Sequence, residues 1–150
     1  MKSKLLNKSG GKLCALVFES GDEVVSELLK FAKRTQLQGA SFFGVGACRE
    51  VTIGFFDLGG KDYIPTEIKE QVEVISLIGN VAIYDGEPKV HAHIVIGKRD
   101  STAHGGHLIE AHVRPTLEIV ITESPRHLHK RFDPESGLAL IDPALTSGRE

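Results

Sequence analysis

The sequence predicts an α+β fold: a mainly antiparallel β-sheet with one principal α-helix over residues 22–36 and short additional helices. Two observations from the residue pattern predict the sheet and its principal helix. A single segment shows sustained helical spacing between a start and a stop signal, and a series of short apolar segments with strand character follows it. Those segments are separated by turn residues and not by further helices, which argues against repeated βαβ units.

The elements follow in order. Residues 12–19 alternate in part and are rich in Leu, Val and Phe, as a strand requires. Ser20 and Glu23 then have capping-box spacing. Val24, Val25, Leu28, Leu29 and Ala32 fall on one face of the ensuing helix, and Asp22, Glu23, Glu27, Lys30 and Lys33 on the other. Gly39 is its stop signal. Strands are expected at 40–48, 50–58, 63–68, 71–78, 90–96 and 116–122. Turns are expected at Gly59-Gly60-Lys61-Asp62, Gly79-Asn80, Asp85-Gly86 and Gly97 to Asp100, and Asp85-Gly86 is the strongest hairpin signal. Asp133-Pro134-Glu135-Ser136-Gly137 makes a turn before a short apolar tail, Leu138 to Ile141. No repeat or linker divides the chain, so one domain over 1–150, with its core at about 12–142, is expected.

Composition narrows the function classes. At 150 residues, 41% hydrophobic and 25% charged, the chain can bury a substantial core. Its net charge of -2, from 18 basic and 20 acidic residues, argues against an extensive polyanion-binding surface and leaves room for a local basic patch. Cys14 and Cys48 lie in apolar runs and read as buried free thiols of a reducing compartment. Residues 1–11 carry lysines but no signal-peptide core, and no later run approaches the ~20 apolar residues of a membrane helix. A cytoplasmic location without membrane attachment is the expectation.

Five of the seven histidines lie between Val90 and Val113. His91 and His93 flank Ala92 in an apolar strand, so their imidazoles share one face. Within His104-Gly105-Gly106-His107, the glycines permit a tight turn that can return His107 to that pair. An HxH pair alone is more often two residues of a polar sheet face than a ligand set. The glycine-flanked third histidine tips the reading toward metal, with His91, His93 and His107 as ligands. Three imidazoles with an open fourth position suit zinc or another divalent transition metal, and such a metal can polarise a carbonyl. His107 is preferred over His104 because it begins the apolar stretch His107-Leu108-Ile109; His104 and His112 are reserves. Glu73, Glu110 and Glu118 are candidate carboxylates for orienting an imidazole or acting as a base.

Other motifs carry less. Gly44-Val45-Gly46-Ala47-Cys48-Arg49 lacks the third glycine and the following helix of a dinucleotide loop. Arg126-His127-Leu128-His129-Lys130-Arg131 reads as a solvated surface segment, although it offers phosphate contacts and a second histidine pair. Cys14 and Cys48 lack a neighbouring base, and no serine sits in a Gly-x-Ser-x-Gly elbow. Ser76 reads as a strand hydroxyl, and Arg114 is placed to reach an anionic ligand. Whether the protein is an enzyme is left open by these residues.

Several elements taken in order resemble the plant and prokaryote conserved (PPC) domain. They are Gly44-Val45-Gly46-Ala47, Glu73-Val74-Ile75-Ser76-Leu77-Ile78-Gly79-Asn80, His91-Ala92-His93, Gly105-Gly106-His107-Leu108 and Pro115-Thr116-Leu117-Glu118. The resemblance spans about residues 12–122 and is to the stand-alone prokaryotic form of a domain that accompanies AT-hooks in plant proteins. It implies an α+β fold, assembly as a homotrimer, and a metal such as zinc on His91, His93 and His107. Stand-alone members carry the label of DNA-binding proteins, a label tied to the AT-hook of the plant proteins. Here no Arg-Gly-Arg-Pro element exists, and the only Gly-Arg is Gly148-Arg149. The leading expectation is therefore a metal-binding homotrimer with a histidine-lined pocket for a small molecule. The alternative is a DNA-binding or transcription-associated interaction module, which needs a basic patch from Lys2, Lys4, Lys8 and Lys12 or from Arg126, Lys130 and Arg131.

Overall fold

A computed structural model describes residues 1–7, 12–124 and 127–145. Lys8, Arg126 and Gly148-Arg149 lie outside the described residues. The helix α1 spans Val24–Thr35, starting two residues after the expected Asp22. Glu23, not Ser20, caps it: its carboxylate accepts the backbone N–H of Val25 at 3.0 Å and of Ser26 at 2.7 Å. A carboxylate there satisfies free amides and meets the positive end of the helix dipole. The Ser20 hydroxyl is engaged elsewhere, donating to the Pro115 carbonyl at 3.2 Å. Gln36 adopts a left-handed conformation (φ 54, ψ 43) and ends the helix before Gly39, which instead opens a strand. Val24, Leu28, Phe31 and Ala32 form the buried face, each large side chain stabilising the fold by roughly 1.5–3 kcal/mol.

Seven strands make the main sheet: β1 (Lys2–Asn7), β2 (Leu13–Glu19), β3 (Gly39–Asp57), β4 (Asp62–Ile68), β5 (Val72–Tyr84), β6 (Glu87–Gly97) and β7 (Ala103–Glu123). Their order is β1-β2-β7-β6-β5-β3-β4, with β7 also paired to β3. Strands β7, β6, β5 and β3 therefore pair round into a closed ring. All named pairings are antiparallel. Because β2 and β3 are both antiparallel to β7, they run parallel to each other, and α1 joins them as one split βαβ unit. Two further strands, β8 (Lys130–Asp133) and β9 (Leu138–Ile141), form a separate hairpin.

The structure corrects several expectations. The strands expected at 40–48 and 50–58 are one continuous strand, β3, whose register slips near Gly44–Gly46 and Cys48–Glu50. Strand β7 begins at Ala103, well before residue 116; its glycines and Arg114-Pro115 interrupt the alternation that would have marked it. Gly79-Asn80 is not a turn but lies inside β5, where Gly79 faces Ala92. A Cβ there would meet the His91 carbonyl oxygen at 2.5 Å, so glycine serves close strand approach and not chain reversal. The turn at Asp85-Gly86 is as expected, with φ of 50° and 80°. Short additional helices are absent among the described residues, where turns too brief for a regular helix join the strands from β3 to β7.

The core lies inside the ring and under α1, with Phe18, Leu28, Leu77, Ile94, Leu117 and Ile119 fully buried. Cys14 and Cys48 are buried free thiols as expected, and burial pushes the Cys48 thiol up to about 12. On β6, Ala92, Ile94 and Ile96 point inward, which leaves His91, His93 and Val95 on the outer face. Among the described residues no helix is long and apolar enough to cross a membrane.

Candidate metal centre

The three predicted ligands meet on that outer face. Strand β6 carries His91 and His93 two residues apart, and β7 brings His107 directly opposite His93 in the register. The route is a short reversal at 98–102, where the Lys98 N–H donates to Thr102 and the Ser101 N–H to Lys98, both at 2.9 Å. One nitrogen from each ring lies within 4.8 Å of the others. Ring centroids are 5.3 Å apart for His91–His93, 5.3 Å for His91–His107 and 5.5 Å for His93–His107.

Tyr63, which sequence reasoning missed, completes the setting. Its ring stacks on His107 at 4.3 Å between centroids with an interplanar angle of 19°. Gly54 makes this possible, because it lies opposite His107 in β3 and a Cβ there would meet the Tyr63 ring at 2.8 Å. A glycine within a strand was the available signal, since such a residue often marks a close approach.

The electrostatics favour neutral imidazoles at His91 and His107. Burial, then His91 and His93, then Lys130 and Lys89, push His107 down to about 4. Burial, with Lys130, His93 and Lys89, also lowers His91 below the usual histidine range. The Nδ1 of His107 is buried with no hydrogen-bond partner. A buried polar atom without a partner is costly, and a metal ion satisfies it with a lone pair already free for coordination. The donor set thus fits a divalent transition metal.

The reserve histidines stand apart. His104 is exposed beside Thr102, on the opposite face of β7 from His107. His112 bonds Glu110 at 2.8 Å. His127 and His129 have ring centroids 6.2 Å apart and gain no third ligand among the described residues. The expected carboxylates do not serve either: Glu73, Glu110 and Glu118 are exposed, and among the described residues no carboxylate lines the cavity beside the centre.

That cavity, about 320 Å³, is lined by Tyr63, Lys89, His91 and His107 of the main sheet and by Lys130 and the β9 residues Leu138 to Ile141 of the hairpin. Lys130 is the second omission. The basic run 126–131 was expected to be solvated, yet Lys130 is only 8% exposed and burial lowers its ammonium from the usual lysine range. Tertiary anchoring of β8 turns it inward: Ile83 N–H donates to Leu128 at 2.7 Å and Leu128 N–H to Gln38 at 3.0 Å. Lys61, in the turn before β4, donates to the Pro134 carbonyl at 2.7 Å and holds the far end of the hairpin.

The model of the Plants and Prokaryotes Conserved (PCC) domain matches residues 6–125. A plant- and prokaryote-conserved protein of Pyrococcus horikoshii is similar at 31% identity, covering 96% of each chain, with a TM-score of 0.84. A metal-containing protein of Archaeoglobus fulgidus is similar at 32% identity over 92% of this chain and 98% of that one, TM-score 0.80. A candidate DNA-binding protein of Ralstonia eutropha JMP134 is similar at 31% identity over 93% and 95%, TM-score 0.82. No curated protein matches this sequence significantly.

Proposed function

This chain belongs to the Plants and Prokaryotes Conserved domain family, and from that premise we propose that it is a metal-binding protein whose ligands are His91, His93 and His107. The observation that carries the reading is the convergence of three imidazoles, one nitrogen from each within 4.8 Å of the others, and His107 among them has a buried, unpartnered Nδ1. The similarity to a metal-containing protein of Archaeoglobus fulgidus supports it. Zinc is the metal the donor set suits, with other divalent transition metals as competitors for the same nitrogens. A three-histidine centre leaves a coordination position open, so the metal would act there as a Lewis acid. The protein's own contributions are to keep His91 and His107 neutral by burial, to clamp His107 under Tyr63, and to wall a small-ligand cavity with β9.

Assembly as a homotrimer belongs to the same proposal. Phe43 and Ile78, paired across β3 and β5, are 60% and 56% exposed, and Ile78 is in register with His93. Val45, Ile75 and Val95 are also exposed on these three strands. A second copy of the chain is an occupant that would bury such an apolar face beside the metal ligands.

Elemental analysis of the full-length, untagged protein beside His91→Ala and His93→Ala tests the reading. About one transition metal per chain in the wild type, lost in both variants, is the expected result; an unchanged metal content in His93→Ala overturns it. Light scattering on the same samples reports the trimer.

A second reading, DNA association, has the Ralstonia eutropha relative in its favour. The cations it would use are partly neutralised: Lys2 pairs with Glu19, Lys12 with Glu123 at 3.2 Å and Arg131 with Asp142 at 2.7 Å. Binding to duplex DNA that falls steeply with salt is its requirement.

A further inference from the structure

We propose that the cavity between the histidines and the β8–β9 hairpin binds a small organic oxyanion, its charged end held by Lys130 and its body lying on the apolar side chains of β9. The proposal rests on the metal reading for one wall of the cavity and adds the class of ligand that the other wall selects.

Three features carry it. Lys130 lines the cavity and is only 8% exposed, yet it enters no ion pair among the described residues. Of the acids nearby, Asp142 pairs with Arg131 at 2.7 Å, and Asp133 of β8 accepts from the backbone and hydroxyl of Ser136. A lysine buried this far without a counter-charge is disfavoured, so its retention marks a place where an anion arrives. Secondly, among the described residues no aspartate or glutamate lines the cavity, whereas Lys89 adds a further cation to its wall. An incoming anion therefore meets attraction from both lysines and no like charge. Thirdly, Leu138, Leu140 and Ile141 give the rest of the wall an apolar surface. At about 320 Å³ the space is at the small end of ligand pockets, which suits a compact molecule with one anionic and one apolar end.

The hairpin is built to present that lysine. Lys130 faces Ile141 in the β8–β9 register, and the Arg131–Asp142 pair beside it holds the two strands together. The ligand would thus reach the histidine wall with its uncharged end or bridge from Lys130 to the open coordination position. Carboxylate and phosphate share the chemistry a lysine ammonium recognises, since it acts as a point charge without the fork geometry of arginine.

Isothermal titration calorimetry on the full-length protein, with metal content measured on the same samples, decides the matter. Butanoate, inorganic phosphate and the uncharged butanamide are the probes. Binding of butanoate or phosphate but not butanamide is expected, weakened about tenfold to a hundredfold in Lys130→Met and largely retained in Lys130→Arg. The tighter of the two anions assigns the class. Equal affinity in Lys130→Met, or no binding of either anion to the wild type, overturns the inference while the metal content stands by itself. If the protein takes up no metal, the metal reading falls, and anion binding to the metal-free chain that is lost in Lys130→Met still supports the lysine site. Lys130→Gln replaces Lys130→Met should that variant fail to fold.

Discussion

The chain contains the same short motif twice, His91-Ala92-His93 and His127-Leu128-His129, and only the first becomes part of a three-histidine centre. Both pairs occupy alternate positions, and both second histidines lie near strands. The difference is the neighbour. His93 lies opposite His107 on an adjacent strand, whereas among the described residues His129 makes an isolated parallel bridge to Ile83 and has no third ligand beside it. An HxH pair thus becomes a centre when a neighbouring strand brings a third donor to the same face. The hairpin before β7 and the closed ring that fixes its register supply that donor here.

The sharpest way to break the contrast is to remove the neighbour's contribution. His107→Ala should reduce zinc affinity by more than the ~10–100-fold typical of losing a supporting residue, because a direct ligand is gone. A competition titration against a chromophoric chelator measures it; retention of wild-type affinity would make the first pair no different from the second.

Acidification comes next. His107 is held at about 4, below the ordinary histidine value of 6.5, so the folded metal-free protein binds fewer protons than the unfolded chain between those values. The sign follows: this contribution to stability is present above pH 6.5 and is lost as pH falls through 4. The Tm of metal-free protein should therefore decline over that window, and His107→Ala should flatten the decline. Bound metal needs neutral imidazoles, so dialysis should retain it at pH 6 and release it toward pH 4.

A smaller effect tests what holds the third ligand in place. Tyr63→Ala removes the ring stacked on His107 and should weaken zinc about two- to tenfold, as the loss of an aromatic pair of roughly 0.5–1.5 kcal/mol implies. Tyr63→Phe should restore it. The smallest effect belongs to the second pair: His129→Ala should leave metal content unchanged, and a loss there would erase the distinction between the two motifs.

How much of this was legible varies along the chain. The helix was readable because its apolar spacing is local, but its cap was not. Ser20 and Glu23 satisfy a spacing rule, and the Pro115 carbonyl, far away in sequence, decided that Ser20 would turn elsewhere. The three histidines were readable from a strand period and a glycine-flanked return, and the structure gathers those three and none of the reserves. Strand β7 was half-read because Gly105-Gly106 and Arg114-Pro115 look like breaks; Gly106 is there because β3 passes so close that a Cβ would meet the Gly54 carbonyl oxygen at 2.8 Å.

The sequence by itself determined what local chemistry dictates: one amphipathic helix, strand-rich segments after it, buried thiols, and two imidazoles on one face of a strand. Periods of 3.6 and 2 residues are properties of neighbouring positions, so they survive without knowledge of the fold. The tertiary structure alone decided which strands became neighbours, that Tyr63 would lie on His107, and that Lys130 would turn from an apparently solvated run into the cavity. Those outcomes depend on contacts between residues tens of positions apart, where sheet pairing and burial outweigh the preference of any single side chain.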